Sequence, residues 1–286
     1  MTRDRHHIDE TDRGLRYDVG TLVSRRRALG ILGGTGLAGV LAACGSSGTA
    51  AKTSAEPSTS ASSTSASSTA ATATDDAADV VEVPDETAGP YPGDGSNGPD
   101  VLTESGIVRS DIRRSFGSST TQAEGVPLSI ALTVRDATTG AALNGVAVYL
   151  WHCNRAGAYS LYSEGVTDEN YLRGVQQTDV NGTATFTSIF PACYSGRWPH
   201  IHFEVYESLA NATSNGPIVK TSQIALPKET CDVVYATAGY EQSVQNLSQA
   251  SLQSDNVFGN DSGIHQIATM SGSTSAGYTA ALTIGV

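Results

Sequence analysis

Basic side chains are scarce in this chain. It has 17 Lys and Arg against 29 Asp and Glu, a formal net charge of −12 over 286 residues. Nucleic-acid binding needs clustered Lys and Arg to neutralise phosphates, and no such cluster occurs beyond the N-terminus, so nucleic acid is excluded as a partner. Charged residues of either sign make up only 16% of the chain, and there are 5 Phe and 2 Trp against 11 Tyr and 30 Gly. That balance favours strands and turns over helices. The chain also lacks an apolar run long enough to span a bilayer. Its best candidate, Ala28 to Ala43, falls short of the roughly 20 residues a membrane helix needs. Cysteine is sparse as well, with four in all: Cys44, Cys153, Cys193 and Cys231.

The short apolar run has a specific setting. A long polar leader precedes it and ends in Ser24-Arg25-Arg26-Arg27-Ala28-Leu29, a twin-arginine pattern. It closes on Leu41-Ala42-Ala43-Cys44-Gly45, which resembles a bacterial lipobox. Residues 1–43 are therefore expected to be a twin-arginine export signal, with Cys44 carrying a lipid after cleavage. The protein would then be an exported cell-surface lipoprotein or a secreted protein, linked to the membrane through that lipid alone. The twin-arginine route carries folded proteins, often with a cofactor already loaded. Residues 44–79 are almost entirely Ser, Thr, Ala and Gly. Such a segment cannot bury enough apolar surface to offset its ordering entropy, and is expected to be a flexible tether. The folded domain is expected over 80–286.

Within that domain strand signals recur. Leu128, Ile130, Leu132 and Val134 alternate, as do Val146, Val148 and Leu150. Further runs fall on either side of Val180-Asn181-Gly182-Thr183, then over His200–Tyr206, Ile218–Leu226 and His265–Val286. Short strands separated by turn residues predict an all-β fold, a mainly antiparallel β-sandwich. A few short helices are expected as well, one over Arg109–Phe116 and one or two between Tyr235 and Asp255. Export would place Cys153, Cys193 and Cys231 in an oxidising compartment, so one disulfide and one free thiol are expected, with Cys193–Cys231 the preferred pair. A three-cysteine metal site is the alternative.

The densest chemistry lies between Phe190 and Val205, F-P-A-C-Y-S-G-R-W-P-H-I-H-F-E-V. On a strand His200 and His202 share one face, with imidazoles about 7 Å apart along it, and together can hold a metal. An H-x-H pair is as often structural, and it also suits zinc or copper. Taken singly, Tyr194 is an ordinary core tyrosine and Arg197 a surface charge.

A second group of residues changes that balance. The blocks W-H-x-N-x-x-G-x-Y-S from Trp151, L-R-G-x-Q-x-T-D-x-x-G from Leu172, F-T-S-I-F-P-x-x-Y from Phe186 and R-x-P-H-I-H-F from Arg197 follow in order. Together they resemble the intradiol aromatic-ring dioxygenases, from about Thr87 to the C-terminus. The resemblance implies a non-haem Fe(III) held by Tyr159, Tyr194, His200 and His202. It implies cleavage of a catechol-type ring by O2 between its two hydroxyls, to a cis,cis-muconate-type product. Tyr194 would be the ligand displaced by substrate and would act as its base, and Arg197 would steady negative charge on the ring. Two departures bear on substrate fit. Proline stands at Pro199 in R-W-P-H, where many members read R-P-x-H, and the turn from Tyr194 to Arg197 is very short. Catechol, protocatechuate and hydroxyquinol stay open as substrates.

Of the other candidates, His152 is expected to pack or hydrogen-bond near the site, His265 to be structural, and Tyr91 to line the pocket mouth. The rival reading is a lipid-anchored β-sandwich binding module whose H-x-H is vestigial or holds zinc or copper. Two phenols beside two imidazoles speak against it, since such a site has little use for phenolates.

Overall fold

The computed structural model describes residues 80–286. The expected export signal, the lipidated Cys44 and the tether all lie outside the described residues. Eight strands form two four-stranded sheets, ordered β4-β1-β8-β7 and β3-β2-β5-β6. The first contains β1 (Pro127–Arg135), β4 (Thr183–Ile189), β7 (Thr269–Ser273) and β8 (Gly277–Gly285). The second contains β2 (Ala147–Trp151), β3 (Arg173–Gln177), β5 (His200–Tyr206) and β6 (Ile218–Ala225). Pairing is antiparallel except between β1 and β8, which run parallel from Leu128↔Tyr278 to Arg135↔Gly285. The first and last strands of the domain thus lie side by side in the centre of one sheet.

Alternation decides which face of each strand goes where. Leu128, Ile130, Leu132 and Val134 point from β1 into the space between the sheets, where they meet Val148 and Leu150 of β2 and Ile201, Phe203 and Val205 of β5. The outer face of the second sheet is not left to solvent. There Ala147, Tyr149 and Trp151 join a second apolar cluster with Val101, Leu102, Ile107 and Tyr159, contributed by the loops that cover the sheet. Every residue of β2 and β5 is consequently buried. His200 and His202 lie on this covered outer face.

Three short helices follow β5: α1 (Leu209–Ala212), α2 (Lys228–Tyr235) and α3 (Glu241–Leu247). α3 falls within the expected interval, whereas α2 begins earlier and ends where the helical stretch was expected to start. The helix expected over Arg109–Phe116 does not form. Instead the segment lies extended along the edges of both sheets, with bridges Val108↔Val175 and Asp111↔Thr187, and Arg114 bridges back to Gln122. Arg109 donates its backbone N–H to Val175 O and Ile112 donates to Thr187 O. Ile107 and Ile112 are buried, so tertiary pairing overrides a weak local helical preference. Gly174 makes the close approach feasible, since a Cβ there would lie 2.5 Å from Ile112 Cγ2.

The expected disulfide is absent: Cys153, Cys193 and Cys231 are all free and buried. Each thiol faces a backbone carbonyl, of Ala192, Arg197 and Leu226 respectively. Burial pushes the Cys153 and Cys193 thiols up to about 12, which leaves them protonated and poorly nucleophilic.

Candidate metal centre

Strand β5 places the two imidazoles. His202 pairs across the sheet with Trp151 on one side and Gln223 on the other. The Trp151 ring stacks on it with centroids 4.9 Å apart and planes 7° from parallel. His200 is fixed through its own backbone neighbourhood, its Nδ1–H donating to Trp198 O at 2.5 Å. That bond sets the tautomer and leaves the Nε2 lone pair directed away from the strand, as metal-ligating histidines require.

The phenols arrive from two loops. Tyr159 belongs to the β2–β3 connection, shaped by Asn154, whose Oδ1 accepts the backbone N–H groups of Ala156 and Ala158. Tyr159 N donates to Ser163 Oγ at 2.9 Å, and the Tyr159 ring is buried. Tyr194 opens the turn before β5, where Gly196 takes a φ of +84°, and it is half-buried. Gly157 lies against it, in a conformation (φ +86°) with a Cβ position only 3.1 Å from Tyr194 Cβ.

The four side-chain tips converge. Tyr159 Oη lies 3.2 Å from His202 Nε2 and 3.4 Å from His200 Nε2. Tyr194 Oη lies 3.2 Å from His200 Nε2, and the two Nε2 atoms are 3.1 Å apart. All the residues expected at the site, Tyr159, Tyr194, Arg197, His200 and His202, are therefore brought together. Arg197 is also buried, with Nη1 3.4 Å from His200 Nε2. Burial, reinforced by the Arg197 charge, pushes His200 down to about 3. Burial and then the neighbouring His200 hold His202 well below the usual range. Burial, followed by Tyr194, raises Tyr159 well above the ordinary phenol value. Left to themselves, Tyr159, His200 and His202 are neutral.

That donor set fits a metal ion. Donor atoms separated by 3.1–3.4 Å match ligands that share one ion through bonds of about 2 Å. A bound cation would reverse the burial penalty on the phenolates, and imidazole nitrogen with phenolate oxygen suits iron. Among the described residues no group of three or more His, Cys, Asp or Glu side chains is placed to hold a metal, which removes the three-cysteine alternative.

The remaining candidates divide. Tyr91 packs near the site, its ring tilted against Tyr159 at 5.0 Å and Tyr162 at 5.2 Å. The loop carrying it turns at Gly89 (φ +73°), where a Cβ would lie 3.2 Å from His202 Cε1. His152 is buried and joins Ser188 Oγ at 2.7 Å and Cys153 O at 2.8 Å, a structural tie. His265 is half-buried in the turns before β7.

Two residues of consequence were missed by sequence reasoning. Arg173 is buried and clamps both covering loops. Its guanidinium donates to Tyr91 O, Pro92 O, Ser160 O, Ser160 Oγ and Tyr149 Oη. The L-R-G block drew attention to it without a role. The other is Asp255, which holds Arg197 from 58 residues away and carries no local motif.

Known proteins resemble this chain in sequence and in fold. A family model described as "Dioxygenase" matches residues 97–215, a span containing all five site residues. Among solved structures, an intradiol ring-cleavage dioxygenase from Tetranychus urticae is 26% identical, with a TM-score of 0.57, over 71% of this chain and 93% of that one. The dioxygenase domain of a carbohydrate-binding fusion from Streptomyces sp. SirexAA-E is 21% identical, with a TM-score of 0.45, over 72% and 97%. Catechol 1,2-dioxygenase from Pseudomonas arvilla C-1 is 19% identical, with a TM-score of 0.44, over 71% and 61%. No curated protein sequence matches. In its matched segment and in its fold, the chain is similar to the intradiol ring-cleavage dioxygenases.

Proposed function

We propose that this protein is a non-haem Fe(III) intradiol dioxygenase that opens catechol-type rings between the two hydroxyls. The observation carrying the proposal is the convergence of two phenols and two imidazoles, with donor atoms 3.1–3.4 Å apart, in a buried site. Ferric iron, when bound, supplies Lewis acidity and a template for both catechol oxygens.

The chain's own residues divide the remaining work. Tyr159 is buried and its backbone fixed, so it is the permanent phenolate. Tyr194 is half-buried beside the exposed Ser195 and Gly196, so it is the phenolate able to swing away and take a proton from a substrate hydroxyl. His200 and His202 remain neutral donors, because burial keeps both imidazoles uncharged, and the Nδ1–H of His200, donated to Trp198 O, leaves its Nε2 lone pair free. Arg197 presents a buried positive charge beside His200 and stabilises negative charge developing on the ring and its oxygens. The Tyr91 ring packs against Tyr159 on one side and Tyr162 on the other, and lines the approach. The reaction balances without a reductant: the bond between the two hydroxyl-bearing carbons breaks, and both O2 atoms end in the product's carboxyl groups.

The export reading is part of the same proposal. Residues 1–43 carry the twin-arginine signal, Cys44 the lipid and 44–79 the tether, so the catalyst would work on aromatic compounds outside the cytoplasm.

Incubating the iron-loaded protein with catechol and labelled O2 tests this directly by mass spectrometry. A ring-opened dicarboxylate containing both labelled atoms is expected. Unchanged catechol, or a product cleaved outside the hydroxyl pair, would overturn the reading.

A further inference from the structure

Arg197 is held from more than one side. Its Nε donates to Asp255 Oδ2 at 3.0 Å and its Nη2 to Gln223 Oε1 at 2.7 Å. The Arg197 and Asp255 side chains are 4% and 0% exposed. The remaining terminal nitrogen, Nη1, is the one beside His200 Nε2. A planar guanidinium fixed at two of its nitrogens has one orientation left.

Asp255 does more than neutralise this charge. Its Oδ2 also accepts the backbone N–H of Trp198 at 2.7 Å, while Oδ1 accepts those of Val257 at 2.9 Å and Phe258 at 3.1 Å. Both carboxylate oxygens are thus occupied by N–H donors, one by Arg197 and Trp198 beside the centre and the other by Val257 and Phe258 of its own turn. Phe258, set by two of those contacts within the turn that follows α3, lies 6.0 Å under the Arg197 guanidinium. We propose that Asp255 is a positioning residue for Arg197, fixing the direction in which Nη1 meets the oxygens of a bound catechol. The proposal rests on the dioxygenase reading of the site.

A mutant cycle tests it. Because each carboxylate oxygen faces two donors, the amide of Asp255→Asn must turn its own NH2 toward two of them whichever way it lies. Either Arg197 and Trp198 lose their acceptor, or the turn that sets Phe258 under the guanidinium does, so the seat of Arg197 is disturbed either way while the iron ligands stay in place. In the iron-loaded full chain, Asp255→Asn should keep iron content and the visible band of the catechol complex, yet lower kcat by about 100-fold. In an Arg197→Ala background the same substitution should change kcat by less than about twofold, since its effect passes through the arginine. Losses that multiply in the double variant, or a loss that follows iron content, would overturn the proposal. If Asp255→Asn fails to fold, Gln223→Leu removes the Nη2 partner instead and is subject to the same comparison. Should the wild-type chain bind iron but not open catechol, the dioxygenase reading fails by itself. The cycle is then measured on anaerobic catechol affinity, where independent effects of Asp255 and Arg197 still refute the positioning role.

Discussion

Two phenols with the same chemistry are held to different degrees at this centre, and that difference sorts their roles. Tyr159 is 2% exposed and its loop is pinned by Asn154 and Ser163, so Tyr159→Phe should cost iron and colour together. Tyr194 stands at the mouth of an exposed turn. Tyr194→Phe should keep a measurable share of the iron while kcat falls by on the order of 100-fold or more. Metal analysis and turnover on the same samples check this, and equal iron loss in both variants would contradict the division. At this scale the sequence is legible only in part. The period-2 spacing puts His200 and His202 on one face without further help. Tyr159 and Tyr194 were legible only through their motif blocks, since no spacing rule brings a tyrosine 41 residues upstream onto His200. Asp255 was invisible, because its contact with Arg197 exists only once the turn after α3 folds back on the site.

Among the elements, β5 was legible to the residue, since an alternating run bounded by Pro199 and exposed Glu207 has few other conformations. The segment Arg109–Phe116 was misjudged because its backbone partners belong to β3 and β4, and no local pattern announces them. The covering loops depend on Arg173, whose guanidinium is bonded to five acceptors from three segments. Arg173→Ala strands the carbonyls of Tyr91 and Ser160, leaves Pro92 O with Tyr149 Oη as its donor, and should destabilise the domain by about 3 kcal/mol or more. Arg173→Lys should recover little of this, because an ammonium cannot reproduce the planar fork. Urea denaturation of the three proteins measures both effects. A loss under about 1 kcal/mol in the alanine variant would show that the clamp is not needed.

Over the whole domain, the segment leading to the site is fastened across both sheets before it reaches the candidate metal centre. Val83 donates to Gly285 O in β8, Glu86 donates to Thr221 O in β6, and Lys220 reaches Glu82 and Asp85. Gly89 then lies on His202. Glu86 within this strap is raised from 4.5 to about 7, first by burial and then by Asp261, with Asp255 and Asp85 adding and Arg197 opposing. A carboxyl raised in the folded state contributes stability that is complete below its unfolded value and is lost as pH rises through its folded one. Stability should therefore fall between about pH 4.5 and pH 7 on this account, by on the order of 1 kcal/mol after allowance for solvent screening. Glu86→Gln should flatten that part of the profile, as followed by denaturation midpoints against pH. An unchanged slope would contradict the assignment. The sandwich was legible from strand count and turn spacing. The parallel pairing of β1 with β8 was not, since it joins segments at opposite ends of the domain.

The central claim is that two tyrosinates and two histidines hold ferric iron where catechol can reach it. A visible absorption spectrum of the iron-loaded full chain, taken before and after anaerobic addition of catechol, tests it most directly. The account predicts a tyrosinate-to-iron charge-transfer band that moves to longer wavelength as catechol binds. A chain that holds iron yet shows no such band, or whose band does not move, would contradict it.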